Sequence, residues 1–314
     1  MIEIQSPRPG DSGAIDDLVT QALAMDAGGP EVVAPTIAEP IVAESSDART
    51  GSAERPTSTP AEPLEALPMR TVDAAVAVAH EVQQQGWASR LAVFDLETTG
   101  VDTSTARIVT AFLGVLDERG ELLEQHAWLA DPGVEIPEGA AAIHGITTER
   151  ARAEGAAAQQ VVAAIVAEVA NLLRAGTPVV AFNAAYDFTV LHHEALRHGI
   201  APVEAPSPVI DPLVLDKHVD RYRKGKRTLG VTCAHYGVEL EGWHEASADA
   251  IAAGRLAQAM HELFPQLRVP ADELHASTVD WATQQAESFA RYMQQRDPSF
   301  TADRGWPIRQ SRTA

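Results

Sequence analysis

The run Leu91-Ala-Val-Phe94 is wholly apolar, carries two carboxylates just beyond it, Asp95 and Glu97, and is followed at once by Thr98-Thr-Gly100. A short apolar run bounded by a turn reads as a strand buried on both faces, and such strands lie inside sheets covered by helices. Residues i and i+2 of a strand point to one face, so Asp95 and Glu97 converge on a single site at the open strand end. An Asp-x-Glu pair standing alone describes two solvated strand residues as readily as it describes a site.

The rest of the pattern supplies the sheet. Arg107–Leu116 and Glu121–Leu129 read as further strands, with Asp117-Glu-Arg-Gly120 as the hairpin turn between them. A long Ala/Val helix is expected over Ala156–Arg174, then a short central strand Val179–Phe182 and a helix Tyr186–His198 stopped by Gly199. Further helices fall near Pro212–Asp220, Leu229–Tyr236 and Ala246–Leu263, and residues 271–297 form one more amphipathic helix closed by Asp297-Pro. Antiparallel strands followed by strands alternating with helices imply an α/β fold, a mixed sheet flanked by helices.

Upstream, Ala74, Val76, Ala77, Ala79 and Val82 recur at helical spacing, which predicts a helix ending near Gly86. Residues 1–68 mix Pro, Ala, Ser, Glu and Asp and read as a disordered acidic tail, with a transient helix at most near Leu18–Met25. The expected organisation is therefore a tail over 1–68, an α/β domain over 69–264 and a helical extension over 265–314.

The formal charge of −20 over 314 residues argues against tight, sequence-independent coating of nucleic acid. Its location softens the point: the tail carries −9, residues 69–264 carry −11 and the extension is neutral. The single Cys233 excludes an internal disulfide and, with no Cys-x-x-Cys, a zinc ribbon. The N-terminus shows neither a basic nor an apolar leader region, and no run nears the roughly 18 apolar residues of a membrane span. A cytoplasmic protein with no membrane association is expected.

Two more segments complete a constellation. Asn183-Ala-Ala-Tyr-Asp187 follows the second apolar strand, where Asp187 also suits a helix cap or dipole partner. In His244-Glu-Ala-Ser-Ala-Asp249 the carboxylate falls on the first turns of a helix and the imidazole on the loop before it. Four carboxylates and one histidine in this order are what a two-metal phosphodiester hydrolase needs: two hard cations about 3.5–4 Å apart and a base for water. Lys217-His-Val-Asp-Arg-Tyr-Arg-Lys-Gly-Lys-Arg227 is the one strongly basic stretch; it suits either a phosphate-tracking strip with Tyr222 for stacking or a solvated helix end.

With Phe94-Asp-Leu-Glu97-Thr-Thr-Gly, Asn183-x-x-x-Asp187, His244-x-x-x-x-Asp249 and Ile143-His-Gly-Ile-Thr147, the chain resembles the DnaQ-like 3′–5′ exonucleases of the DEDDh type over roughly residues 88–264. The resemblance implies an RNase H-like mixed sheet. It makes Asp95, Glu97, Asp187 and Asp249 ligands of two Mg²⁺ or Mn²⁺ ions and His244 the general base. Leu96, Thr98, Thr99, His144 and Asn183 would meet the terminal nucleotide. The family's Tyr-bearing subclass is not implied, since no Tyr stands near Asp249. Three positions depart from the usual pattern: Gly139 replaces a frequent Glu, and Phe182 and Tyr186 replace His and Phe. The expected substrate is a single-stranded 3′ end, DNA before RNA, in proofreading or repair. An RNase T-like exoribonuclease and a replisome module bound to a DNA polymerase are the alternatives. No clamp-binding peptide of the Gln-Leu-x-Leu-Phe kind is present.

Overall fold

The structure, a computed structural model, describes residues 86–239 and 246–310, all within the unit Val72–Ala314. The acidic tail, the segments Leu18–Met25 and Ala74–Val82 and the loop bearing His244 lie outside the described residues.

Six strands form one mixed sheet: β1 (Leu91–Thr98), β2 (Ile108–Leu116), β3 (Leu122–Asp131), β4 (Ala156–Ala157), β5 (Val179–Val180) and β6 (Val209–Ile210), in the order β4-β3-β2-β1-β5-β6. The β1–β2 and β2–β3 pairs are antiparallel, whereas β5 joins β1, β6 joins β5 and β4 joins β3 in parallel. The β2–β3 turn is closed by Asp117, whose Oδ1 accepts from the amides of Arg119 at 2.8 Å and Glu121 at 2.9 Å, while Gly120 takes the left-handed φ of 75° that an L side chain avoids.

Burial on both faces of β1 follows from its sequence. Ala92, Phe94 and Leu96 enter one core, Leu91 and Val93 the other. The first core is covered by α3 (Ala158–Arg174) and α4 (Ala184–Arg197), and α3 buries Val161, Val162, Ile165, Val166, Val169 and Leu173 there. The second is covered by α7 (Ala246–Leu263), which lies against β1 and β2. Gly254 permits that closeness: a Cβ there would stand 2.4 Å from Val93 Cγ1 and 2.7 Å from Leu116 Cδ1.

The remaining helices are α1 (Glu138–His144), α2 (Thr148–Glu154), α5 (Pro212–Val219), α6 (Leu229–His235) and α8 (Ala271–Met293). The last packs against α5 and β6, and residues beyond 264 enter both cores: Leu267 and Leu274 the second, Trp306 the first. Helix α7 spans the expected Ala246–Leu263, while α8 stops at Met293 rather than 297. The expected strand Val179–Phe182 pairs only through Val180, because the chain leaves the sheet at Asn183 and α4 opens at Ala184. Helices α1 and α2 and strands β4 and β6 were not expected, β4 taking Ala156–Ala157 from the expected helix; with seven, seven, two and two residues they are too short to show a period. Among the described residues, no helix is long and apolar enough to cross a membrane.

Candidate active site

The sheet brings four acidic residues from three elements together. Asp95 and Glu97 share the face of β1 that meets α7, Asp187 sits in the first turn of α4, and Asp249 in the first turn of α7. Asp187 is buried, and its Oδ1 accepts from the Leu96 amide at 3.1 Å. Strand pairing explains that bond. The Ala92 amide donates towards β5, to the Pro178 carbonyl at 2.8 Å, and β5 pairs only with Ala92 and Val93. Two amides further along β1, Leu96 has no strand left to meet on that side and a side chain takes over.

The four carboxylates act on one another's charge. Burial raises the Asp95 carboxyl well above the usual carboxylate range, and the charges of Asp187, Glu97 and Asp249 push it further. Glu97 is raised to about 7 by burial and then by Asp249. Burial also raises Asp187, against two backbone amides that pull it down, and Asp211 and Glu97 add to the rise. Among the described residues, no three His, Cys, Asp or Glu side chains are drawn together as a closed ligand set. All the donors are oxygens, buried among like charges, and that suits a hard divalent cation.

A residue that sequence reasoning passed over holds this geometry. Asn183 adopts the left-handed conformation, φ 64° and ψ 44°, as the chain turns from β5 into α4. Buried Asp211 fixes the turn: Oδ1 accepts from Asn183 at 3.0 Å and Leu213 at 2.9 Å, while Oδ2 accepts from Ala184 at 3.0 Å and the Trp306 indole at 3.3 Å. Its signal was Asp211-Pro212, a capping residue before a proline at the first helical position. That signal announced the start of α5 but not the reach back to Asn183. Glu194 is a second such residue. Fully buried, it accepts from the Ile108 amide at 3.1 Å and pairs with Arg197 and with Arg107, the latter at 4.0 Å.

The residues expected to meet a nucleotide are placed as follows. Leu96 has its side chain in the core and its amide on Asp187. The Thr98 hydroxyl donates to the Gly100 carbonyl at 2.9 Å and meets the Tyr186 hydroxyl, which donates to the same carbonyl at 2.6 Å. Thr99 Oγ1 accepts from the Arg107 amide at 3.0 Å. Both threonine hydroxyls therefore build the turn after β1. His144 ends α1 beside the Thr98 backbone; burial lowers its pKa, its Nδ1 accepts from Ile146 at 3.2 Å and its Nε2 is buried without a partner among the described residues. His244 lies outside the described residues.

The basic stretch Lys217–Arg227 is not the continuous positive strip that its composition suggested. Asp216, fully buried, accepts from Arg223 at 2.7 Å, from Arg227 and from the Tyr236 hydroxyl at 2.9 Å. Two of its guanidiniums thus point inward to neutralise one carboxylate, as burying a charge demands. Tyr222, 86% exposed, remains available at the surface.

Comparison with known proteins agrees with this architecture. The family described as Exonuclease, RNase T, matches residues 92–257. DNA polymerase III PolC-type of Lacticaseibacillus paracasei is 29% identical over 170 residues, 54% of this chain and 11% of that protein. The PolC-type polymerase of Streptococcus agalactiae is 30% identical over 165 residues, 52% of this chain and 10% of that one. The chain thus spans about a tenth of the length of the curated relatives it matches. Among solved structures, E. coli Exonuclease I in complex with a dT13 oligonucleotide shares the fold, with a TM-score of 0.50 at 21% identity over 57% of this chain and 42% of that one. With more than half of its length matched, from β1 through most of α7, this chain belongs to the DnaQ-like exonuclease family.

Proposed function

We propose that the protein is a 3′–5′ exonuclease that hydrolyses single-stranded DNA ends to nucleoside monophosphates, in proofreading or repair. One observation carries the reading: four carboxylates from β1, α4 and α7 crowd together, so that burial and mutual repulsion favour a bound cation over bare charge. Asp95, Glu97, Asp187 and Asp249 would hold two Mg²⁺ or Mn²⁺ ions, which supply a polarised water and charge neutralisation at the scissile phosphate.

The chain's own groups divide the remaining work. Asp95 and Glu97 are fixed by the central strand, and Asp187 by its bond to Leu96, so the carboxylate oxygens keep their positions while the strand end stays open to substrate. His244 takes the proton from the attacking water, a role suited to an imidazole near neutral pH. The turn Thr98–Gly100 and His144 beside it would receive the terminal nucleotide, chiefly through backbone and ring surface. Asn183, held in its left-handed turn by Asp211, would border the same nucleotide. Residues 69–264 would form the exonuclease domain, with the acidic tail before it. The oligonucleotide in the E. coli Exonuclease I complex supports DNA as substrate, and the name of the PolC-type relatives supports a place beside a DNA polymerase.

The test offers 3′-labelled single-stranded DNA, mismatched duplex and RNA to the purified protein with Mg²⁺ and with EDTA. Release of mononucleotides from DNA that stops with EDTA is expected. Preference for RNA would move the protein to the exoribonuclease reading, and release unaffected by EDTA would remove the metals.

A further inference from the structure

The C-terminal segment 303–310 lies beyond the region that matches the family, yet it is fastened to the elements that build the site. Trp306 is buried and its indole donates to Asp211 Oδ2 at 3.3 Å, the carboxylate that also holds the Asn183 turn. Three residues on, the Arg309 amide donates to Thr189 Oγ1 at 2.9 Å, two residues past Asp187 on α4. The Gln310 amide returns to the Arg304 carbonyl at 2.6 Å, closing the segment into a small loop. Two bolts, one at each end of the first turns of α4, therefore fix where Arg309 stands.

Thr189 lies one turn beyond Tyr186 on α4, so the segment brings Arg309 to the Tyr186 side of that helix. Tyr186, whose hydroxyl braces the Thr98–Gly100 turn, feels the charges of Asp187 and Glu97 and, with opposite sign, that of Arg309. The neighbouring cations are committed elsewhere: Arg197 to Glu194 and the Ser104 carbonyl, Arg107 to Glu194 and the carbonyls of Thr105 and Ala106. The Arg309 side chain keeps 27% of its surface exposed and meets the half-exposed Asp303 only at 3.8 Å. A guanidinium held by its backbone and only loosely paired is disposed to bind a phosphate.

We propose that Arg309 binds a backbone phosphate of the strand whose 3′ end enters the carboxylate site, so that the C-terminal loop supplies part of the substrate grip. The proposal rests on the exonuclease reading, and its test separates the two. Binding of a fluorescein-labelled oligo-dT strand is followed by anisotropy with Ca²⁺ in place of Mg²⁺, as a function of salt. Arg309→Ala should weaken binding about five- to tenfold and reduce the slope of log K against log[salt] by about 0.7, the value for one phosphate contact on a single strand. Arg309→Lys should restore most of the slope, and Asp303→Asn should bind as well as the wild type or better. Unchanged affinity and slope in Arg309→Ala, or a wild type that does not bind the strand, would overturn the proposal. A wild type that binds but releases no nucleotide with Mg²⁺ would instead count against the exonuclease reading and leave the Arg309 contact standing.

Discussion

The Leu96 amide donates to Asp187 Oδ1 at 3.1 Å, so the strand that carries two acidic residues hydrogen-bonds the helix that carries a third. The bond makes Asp187 both a member of the charge cluster and a tie between β1 and α4. Asp187→Asn keeps an acceptor for Leu96 while removing a charge. It should melt at or above the wild-type temperature without metal and lose at least about a hundredfold in nucleotide release, roughly 2.7 kcal/mol of barrier. Asp187→Ala should lose the same activity and also about 1–3 kcal/mol of stability, because a buried amide is left without a partner. Thermal melts beside a nuclease assay check both.

Cations should stabilise the protein by binding where the carboxylates repel. Saturating Mn²⁺ or Mg²⁺, at about 100 times its Kd, should add about 2.7 kcal/mol to unfolding. Asp95→Asn should raise the metal-free melting temperature and shrink the cation-induced shift. A wild-type melting curve that ignores both cations and EDTA would contradict the metal assignment.

Asp211 accepts four hydrogen bonds with no solvent to replace them. Asp211→Ala should cost at least about 3 kcal/mol in urea unfolding, since several buried donors lose their acceptor together. It should also lower activity per folded molecule, because the Asn183 turn that aims α4 is released. Tryptophan fluorescence reads the accompanying loosening of Trp306.

Arg227 and Lys224 stand three residues apart and should behave oppositely. Arg227→Ala removes one of two arginines from fully buried Asp216, which keeps Arg223 and Tyr236, and should destabilise by about 1–3 kcal/mol. Lys224→Ala, on the exposed part of the same stretch, should stay within about 0.5 kcal/mol of the wild type. Chemical denaturation of the two variants tells a structural arginine from a surface lysine.

Much of this architecture could be read in advance because it is local. Leu91–Phe94 announces a two-faced strand by its unbroken apolar run, and α7 is marked by its alanines and leucines along the helical period. The fold also brings the carboxylates of Asp95, Glu97, Asp187 and Asp249 within mutual influence. What escaped notice depends on burial, and a string of letters records charge without showing whether it faces water. Asp211, Glu194 and Asp216 look like surface acids in the sequence, yet each is a buried acceptor that organises a turn or a pair of arginines. In Lys217–Arg227, for the same reason, composition did not show that Arg223 and Arg227 turn inward to Asp216. Nor did the letters show that the hydroxyls of Thr98 and Thr99, expected to face a nucleotide, also close the turn after β1.

The sheet is unequally knit. Eight registered partners join β1 to β2, whereas only two join β1 to β5 and two join β5 to β6. Amide exchange should therefore be slowest along the antiparallel hairpins and faster across the parallel flank, where side chains do most of the fastening. Asp95 and Glu97 stand on the densely paired half, and Asp187 follows the sparsely paired β5. The Leu96–Asp187 bond is then the clasp that carries the steadiness of the hairpin half over to the more thinly stitched flank.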